Sequence, residues 1–523
     1  MLAWGFILYL ALIVIAVPRR QHRYAPLAAF VAFALMYLDT AFHEPIETIG
    51  LAIFVTAGAL AYLASPRRYR ALAVAAFALW TPALRLVDSD AFEGGYPGWV
   101  AVTTIVALVF LVVMIIRRDA SDDDERLRRI GLGLVAVTCV ARITERHLVV
   151  ASPNGVAPDN VWSLVVIAVL PILAVAKIRR PTRDALTTGV ALGAYVLVAV
   201  ALLLGKDYHV DTVAAEHRAT EIFLSGADPY RDLDIPEALR RFGLDPRLAT
   251  HLEDGSELRS FNYPALSFLV PAPFVVAGLR DIRFLYLAEI VAFVLVLIRQ
   301  ARVPWRPLVT AAVVGNAVIA RQNVLAGVDP LWAILTTFAF LFLSKRVLSP
   351  VFLGLACAAR QPAWFFVPFY VAITWRRDGR RMALQRLGIA AIAGALPNVA
   401  FLVASPADFL AGVFAPMLGS LEPYGVGLIR FSMDGVLPLL PRGVYGATSG
   451  VVLVALVWFF WRSWQRIPNA VLVFPSVVLW FAWRSLQNYF SFAGVLALAA
   501  DETIMTGDSA AAAEAGPPTV MAT

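Results

Sequence analysis

At 523 residues, with 60% hydrophobic and 15% charged side chains and a mean hydropathy of +0.73, the chain is too apolar for a water-soluble protein of this size. Its net charge of +7 does not mark a nucleic-acid binder, because the Lys and Arg residues fall in short intervals between apolar runs rather than in one basic patch. The two cysteines, Cys139 and Cys357, both lie inside apolar runs, so neither a disulfide framework nor a thiolate metal site is supported, and no metal or other cofactor is expected.

Apolar runs of about 20 residues recur from Leu2 to Ala500, enough for roughly sixteen membrane spans. The expected fold class is an all-α polytopic integral membrane protein, since helices satisfy their own backbone and the sequence lacks the alternation of a barrel. Met1 to Val17 has no positive flank before it and no small-residue cleavage site after it, so it reads as the first span. Arginines then occupy every second interval: Arg19, Arg20 and Arg23, then Arg67, Arg68 and Arg70, then Arg117 to Arg129, then Lys177 to Arg183. The intervals between, His43 to Glu47 and Asp88 to Gly98, contain neither Lys nor Arg. This alternation predicts a multi-pass protein of the cell membrane with cytoplasmic arginine loops, and the run Leu186 to Gly205 leading outward. Three regions follow: an N-terminal accessory bundle (1–180), a core (184–500) and a disordered cytoplasmic tail (501–523) rich in Ala, Gly, Pro and Thr.

Lys206 to Asn262 is the longest polar interval, and such intervals usually carry function or small helices of their own. Ile235 to Phe242 has the pattern of a short amphipathic helix. Tyr263 to Gly278 is apolar but interrupted by Pro264, Pro271 and Pro273, which predicts a re-entrant or interfacial segment. Phe284 to Ile298 returns inward. Later spans lead out to Arg321, in to Lys345 and Arg346, out to a turn at Arg360-Gln361-Pro362, in to Arg376 and Arg377, and out to Ser405. An outer loop, Pro406 to Gly443, holds an interfacial helix from Asp408 to Leu418. Three last spans put Trp461 and Arg462 inside, Arg484 to Tyr489 outside, and the tail inside.

Ionisable groups at membrane depth cost at least ~2.5 to 3.5 kcal/mol each, so those that persist face a partner, a cavity or a polar substrate. Asp207, Asp211, Arg321, Arg360 and Arg484 all fall at the outer ends of spans. Carboxylates meeting arginines suit a reaction in which a hydroxyl loses its proton while an anionic phosphate departs. Each residue also has a plainer reading. Asp211 is a good N-cap for the helix after it, Asp228-Pro229 favours a turn with Tyr230 supporting the loop, and Arg321 and Arg360 suit snorkelling helix ends. His209 and His217 have no ligand partners at metal spacing.

The order Asp211, Ala219, Leu224-Ser225-Gly226-Ala227-Asp228-Pro229-Tyr230 and Phe261-Asn262-Tyr263-Pro264 resembles the signature of the GT-C superfamily of membrane glycosyltransferases. The similarity is closest to glycosyltransferase family 87 and related polyprenyl-phosphate-mannose-dependent mannosyltransferases. Arg321-Gln322-Asn323 resembles the family's Gly-Gln-x-Asn element, Arg360-Gln361-Pro362 its Lys-Pro element, and Asn488-Tyr489-Phe490 its late Tyr-Phe element. Ala265 stands where a second Pro is usual, Arg321 where Gly is usual, and Arg360 with an inserted Gln361 where Lys is usual. The resemblance covers Leu186 to Ala500 and does not extend to residues 1–180.

The resemblance implies an inverting transfer of a sugar, typically mannose, from a polyprenyl or dolichyl monophosphate carrier to an extracytoplasmic glycan or glycolipid acceptor. In that reading Asp211 is the general base and Asp207 a second site carboxylate. Arg321, Gln322, Asn323, Arg360, Gln361, Arg484, Asn488, Tyr489, Tyr230 and Tyr263 would contact donor phosphate or substrate. The rival reading from a different class is a transporter or flippase of lipid-linked sugars. Such proteins often carry repeats with matched broken helices, which this sequence lacks.

Overall fold

A computed structural model of the chain describes residues 180–505, apart from residue 206, short stretches at 302–305, 315–318, 320–322, 325–326, 426–427, 434–436 and 465–470, and scattered positions between 473 and 504. The expected accessory bundle, all but Met505 of the tail, and Arg321 and Gln322 lie outside the described residues.

The described fold is all-α, with one two-residue parallel strand pair, β1 (Tyr424–Gly425) and β2 (Arg484–Ser485). Helix α1 (Arg180–Leu204) covers the run expected to lead into the polar interval. That interval is a folded helical cap comprising α2 (Asp211–Leu224), α3 (Pro229–Asp232) and α4 (Ile235–Arg241). Helix α4 matches the amphipathic helix expected there. The proline-interrupted segment forms two short pieces, α5 (Leu266–Leu269) and α6 (Ala272–Val276), because each ring removes a backbone donor and restricts the residue before it.

Helices α7 (Arg283–Gln300), α8 (Arg306–Val314), α9 (Leu331–Leu341) and α10 (Leu348–Ala359) follow. After a 3-10 turn at Gln361–Phe366 come α11 (Val367–Asp378), α12 (Arg380–Ala395), α13 (Val399–Ala404) and α14 (Pro406–Leu418). Helices α15 (Leu428–Met433), α16 (Arg442–Ser463) and α17 (Phe474–Trp480) complete the described set. The interfacial helix expected from Asp408 is α14, begun by Pro406 at its first turn.

Among the described residues one helix, α16, is both long enough and apolar enough to cross a membrane, at 22 residues. The expected spans around it are shorter pieces: α9 has 11 residues and α10 and α11 have 12 each. At 1.5 Å per residue, 12 residues reach about 18 Å, well short of a ~30 Å hydrocarbon layer. Helices α10 and α12 approach closely at Gly354 and Gly394, where a Cβ on Gly354 would sit 2.2 Å from the Ala390 carbonyl oxygen.

Arginine-aromatic pairs gather where α11 ends and α12 begins, beside the end of α16. The Arg376 guanidinium lies 5.1 Å from the Trp461 ring, and that of Arg380 5.8 Å from Trp375. Arg386 is buried nearby, donating to the Leu343 carbonyl at 2.6 Å and pairing with Asp378 at 3.0 Å. At the start of α16, Arg442 instead donates to the Leu418 carbonyl at the end of α14 at 3.0 Å and pairs with Glu253 of the polar interval at 3.9 Å.

The cap has an aromatic core. Tyr230, Phe261, Phe268, Phe401 and Phe409 are buried together, with Tyr230 4.9 Å from Phe409 and Phe268 5.1 Å from Phe401, centroid to centroid. Edge-to-face pairs of this kind add about 0.5 to 1.5 kcal/mol each beyond burial. They fasten the cap to α13 and α14, so the polar interval is a fixed part of the fold.

Candidate functional site

Helix α2 is the element around which the site is built. Asp211 in its first turn favours the helix dipole, and a Schellman closure ends it. There the Gly226 N–H donates to Phe223 O at 2.9 Å and the Ala227 N–H to Ile222 O at 3.1 Å, with Gly226 at φ +83°. Val213, Ala214, Ala215, Glu216, His217, Ala219, Thr220 and Ile222 are all buried, so the helix is enclosed on nearly every side. Gly327, at φ +70°, approaches so closely that a Cβ there would lie 2.8 Å from Val213 Cβ.

Asp211 does not cap this helix: the N-cap is Val210, and the aspartate points to a different partner. Its Oδ2 accepts from the Thr250 N–H at 3.0 Å and the Thr250 hydroxyl at 2.8 Å. Its Oδ1 meets the Thr212 hydroxyl at 3.4 Å, the weaker contact, which leaves this oxygen the freer of the two. The Thr212 hydroxyl also lies 3.2 Å from the Tyr263 hydroxyl. Thr250 thus fixes the carboxylate's orientation while Thr212 joins it to Tyr263.

On the other side of Tyr263 lies Arg360, its guanidinium carbon 4.3 Å from the ring centroid. Arg360 ends α10 in an extended conformation, which turns its side chain out of the helix and beneath the cap. Its Nη2 donates to Glu216 Oε1, and the Tyr286 hydroxyl donates to Glu216 Oε2. Glu216 has no exposed surface; burial pushes its carboxyl up to about 8, against the lowering pull of the Arg360 charge. Glu289 and Asp329 lie close enough for their charges to be felt in the same cluster. Arg360 Nε is buried with no acceptor among the described residues, as are Asn323 Oδ1 and Asp329 Oδ2 with no donor. Unpaired buried groups of this kind cost about 1 to 3 kcal/mol each, so they are where a bound polar ligand would gain most.

The remaining expected site residues divide into two groups. Burial raises the Tyr489 hydroxyl, while the charges of Arg484 and Arg360 both act to lower it. Arg484, on β2, donates to the Glu422 carbonyl at 2.9 Å and lies 6.0 Å from the Tyr424 ring. Asn488, beside Tyr489, is buried.

The second group is committed to the fold. Tyr230 is 2% exposed and its hydroxyl donates to the Tyr263 carbonyl at 2.8 Å, so it supports the loop rather than facing a ligand. The Gln361 amide donates to the carbonyls of Asn262 at 2.7 Å and Val413 at 2.9 Å, leaving it no N–H for a phosphate. Asn323 Nδ2 donates to the Val328 carbonyl at 2.7 Å. The Asp207 carbonyl accepts from Arg283 at 3.0 Å, and the residue itself is exposed. Asp228 is the N-cap of α3, accepting the Tyr230 N–H at 3.0 Å, which turns the expected Asp-Pro turn into a helix start. His217 Nδ1 lies 2.9 Å from the Tyr208 hydroxyl, and its ring stacks on Phe242.

Glu216, Thr250 and Tyr286 were not among the residues expected to matter. For Glu216 a signal existed: on a helix beginning at Asp211 it shares a face with Val213 and Thr220, where burial rather than solvent is expected. No family model matches the chain, and neither a curated protein nor a solved structure matches it.

Proposed function

We propose that the chain is an integral membrane glycosyltransferase of the GT-C type, moving a sugar such as mannose from a polyprenyl monophosphate carrier to an extracytoplasmic hydroxyl acceptor with inversion. The observation that carries this reading is the continuous contact from Asp211 through Thr212 and Tyr263 to Arg360, which puts a carboxylate and a guanidinium on two sides of one tyrosine. Asp211 Oδ1 takes the proton of the acceptor hydroxyl, and that oxygen attacks the anomeric carbon. The bond from the anomeric carbon to the phosphate oxygen breaks as the new one forms. The electron pair leaves with the lipid phosphate, whose charge is met by Arg360 and, through the Tyr489 side, by Arg484. A lipid-borne donor gives an apolar chain a reason to keep these charges where it does.

The rival reading, a transporter or flippase of lipid-linked sugars, draws on Glu289 and Asp329, acids buried in the helical part of the fold. Proteoliposomes supplied with polyprenyl-phosphate-mannose and a soluble acceptor separate the two. Sugar transferred to the acceptor supports the enzyme, and flipping of intact donor without transfer supports the transporter.

A further inference from the structure

We propose that Glu216 is a positioning residue for Arg360: it holds one arm of the guanidinium so that the remaining N–H groups are presented to the phosphate of the donor lipid. This rests on the reading of Arg360 as a phosphate contact. Three observations support it. Glu216 Oε1 accepts from Arg360 Nη2, and its other oxygen is fixed by the Tyr286 hydroxyl, so the carboxylate is itself held from two sides. The guanidinium carbon lies over the Tyr263 ring, 4.3 Å from its centroid, so the ring supports the cation without occupying its N–H groups. Of these, Nε is buried without an acceptor among the described residues, a donor that a phosphate oxygen would satisfy. Glu216 has no exposed surface and cannot touch an acceptor hydroxyl, so it acts through Arg360.

The test uses farnesyl phosphate as the probe and the full chain in nanodiscs, comparing wild type, Glu216→Gln, Arg360→Gln and the double variant. Glu216→Gln keeps the size of the side chain and an acceptor oxygen, and the thermal unfolding midpoint of each variant reports whether it is folded. The expected result is at least about 10-fold weaker binding in each single variant, with the double variant no weaker than Arg360→Gln, the non-additivity of residues that act as one unit. In a transfer assay Glu216→Gln should raise the KM for the donor and leave the KM for the acceptor unchanged. A folded Glu216→Gln protein that binds like wild type, while Arg360→Gln loses binding, overturns the positioning role and leaves the reading of Arg360 intact. Equal binding by wild type and Arg360→Gln overturns that reading and the inference with it.

Discussion

Arg360 sits over the ring of Tyr263, its guanidinium carbon 4.3 Å from the centroid, and the hydroxyl of the same tyrosine meets Thr212 at 3.2 Å. One side chain therefore does two separable things: its face supports a cation and its hydroxyl reaches toward Asp211. Tyr263→Phe removes the second and keeps the first, so it should lower transfer about 5-fold, the worth of one ~1 kcal/mol hydrogen bond, with donor affinity unchanged. Tyr263→Leu removes both. A desolvated cation–π contact is worth ~2 kcal/mol, so donor binding should weaken about 30-fold. Steady-state kinetics with donor and acceptor varied in turn distinguish the two variants.

Gly327 packs closely against α2. With φ at +70° and Val213 Cβ 2.8 Å from where its own Cβ would be, Gly327→Ala meets both backbone strain and a clash. A loss of about 1 to 3 kcal/mol is expected, read as a lower thermal unfolding midpoint in detergent. Gly243→Ala, also at positive φ but with open space around it, should lose less.

His217 carries the pH dependence that is easiest to isolate. Burial lowers its pKa from the ordinary 6.5, so below that pH the unfolded chain binds the proton more readily than the folded one. The stabilising contribution of the neutral ring is present above pH 6.5 and lost as pH falls through the lower folded value. Glu216, whose carboxyl burial raises, acts the other way as pH falls, so the His217 contribution is read as a difference: the unfolding midpoint of wild type relative to that of His217→Gln should fall between pH 7.5 and pH 5.

Thr250 orients Asp211 through a backbone and a side-chain donor, 39 residues along the chain. Thr250→Val removes the hydroxyl and keeps the N–H. Transfer should fall about 10-fold through kcat with the donor KM unchanged, since a misaligned base costs rate more than binding.

The local elements were legible in the sequence because their determinants are local. Prolines break the segment after Tyr263, and the helix expected from Asp408 is α14, which starts two residues earlier at Pro406; Asp228-Pro229, expected as a turn, starts α3 instead. How long each helix runs was less legible. The expected turn at Arg360-Gln361-Pro362 does end α10, but a continuous apolar run marks only where greasy residues are, and α10 is just 12 residues long. The candidate site was half legible for the same reason. Asp211 and Arg360 stood out as charges at the ends of apolar runs. Glu216 meets Arg360 across 144 residues, and Gln361 finds its carbonyls 99 and 52 residues away, pairings that no short motif records.

Under the proposed function, Asp211 is the base of a sugar transfer from a lipid phosphate. The measurement is transfer of labelled mannose from polyprenyl-phosphate-mannose by purified wild type and Asp211→Asn, with matched expression and unfolding midpoints. Wild-type transfer that drops about 100-fold or more in the variant, with donor binding retained, is the predicted result. A folded Asp211→Asn protein that transfers mannose at the wild-type rate would contradict it.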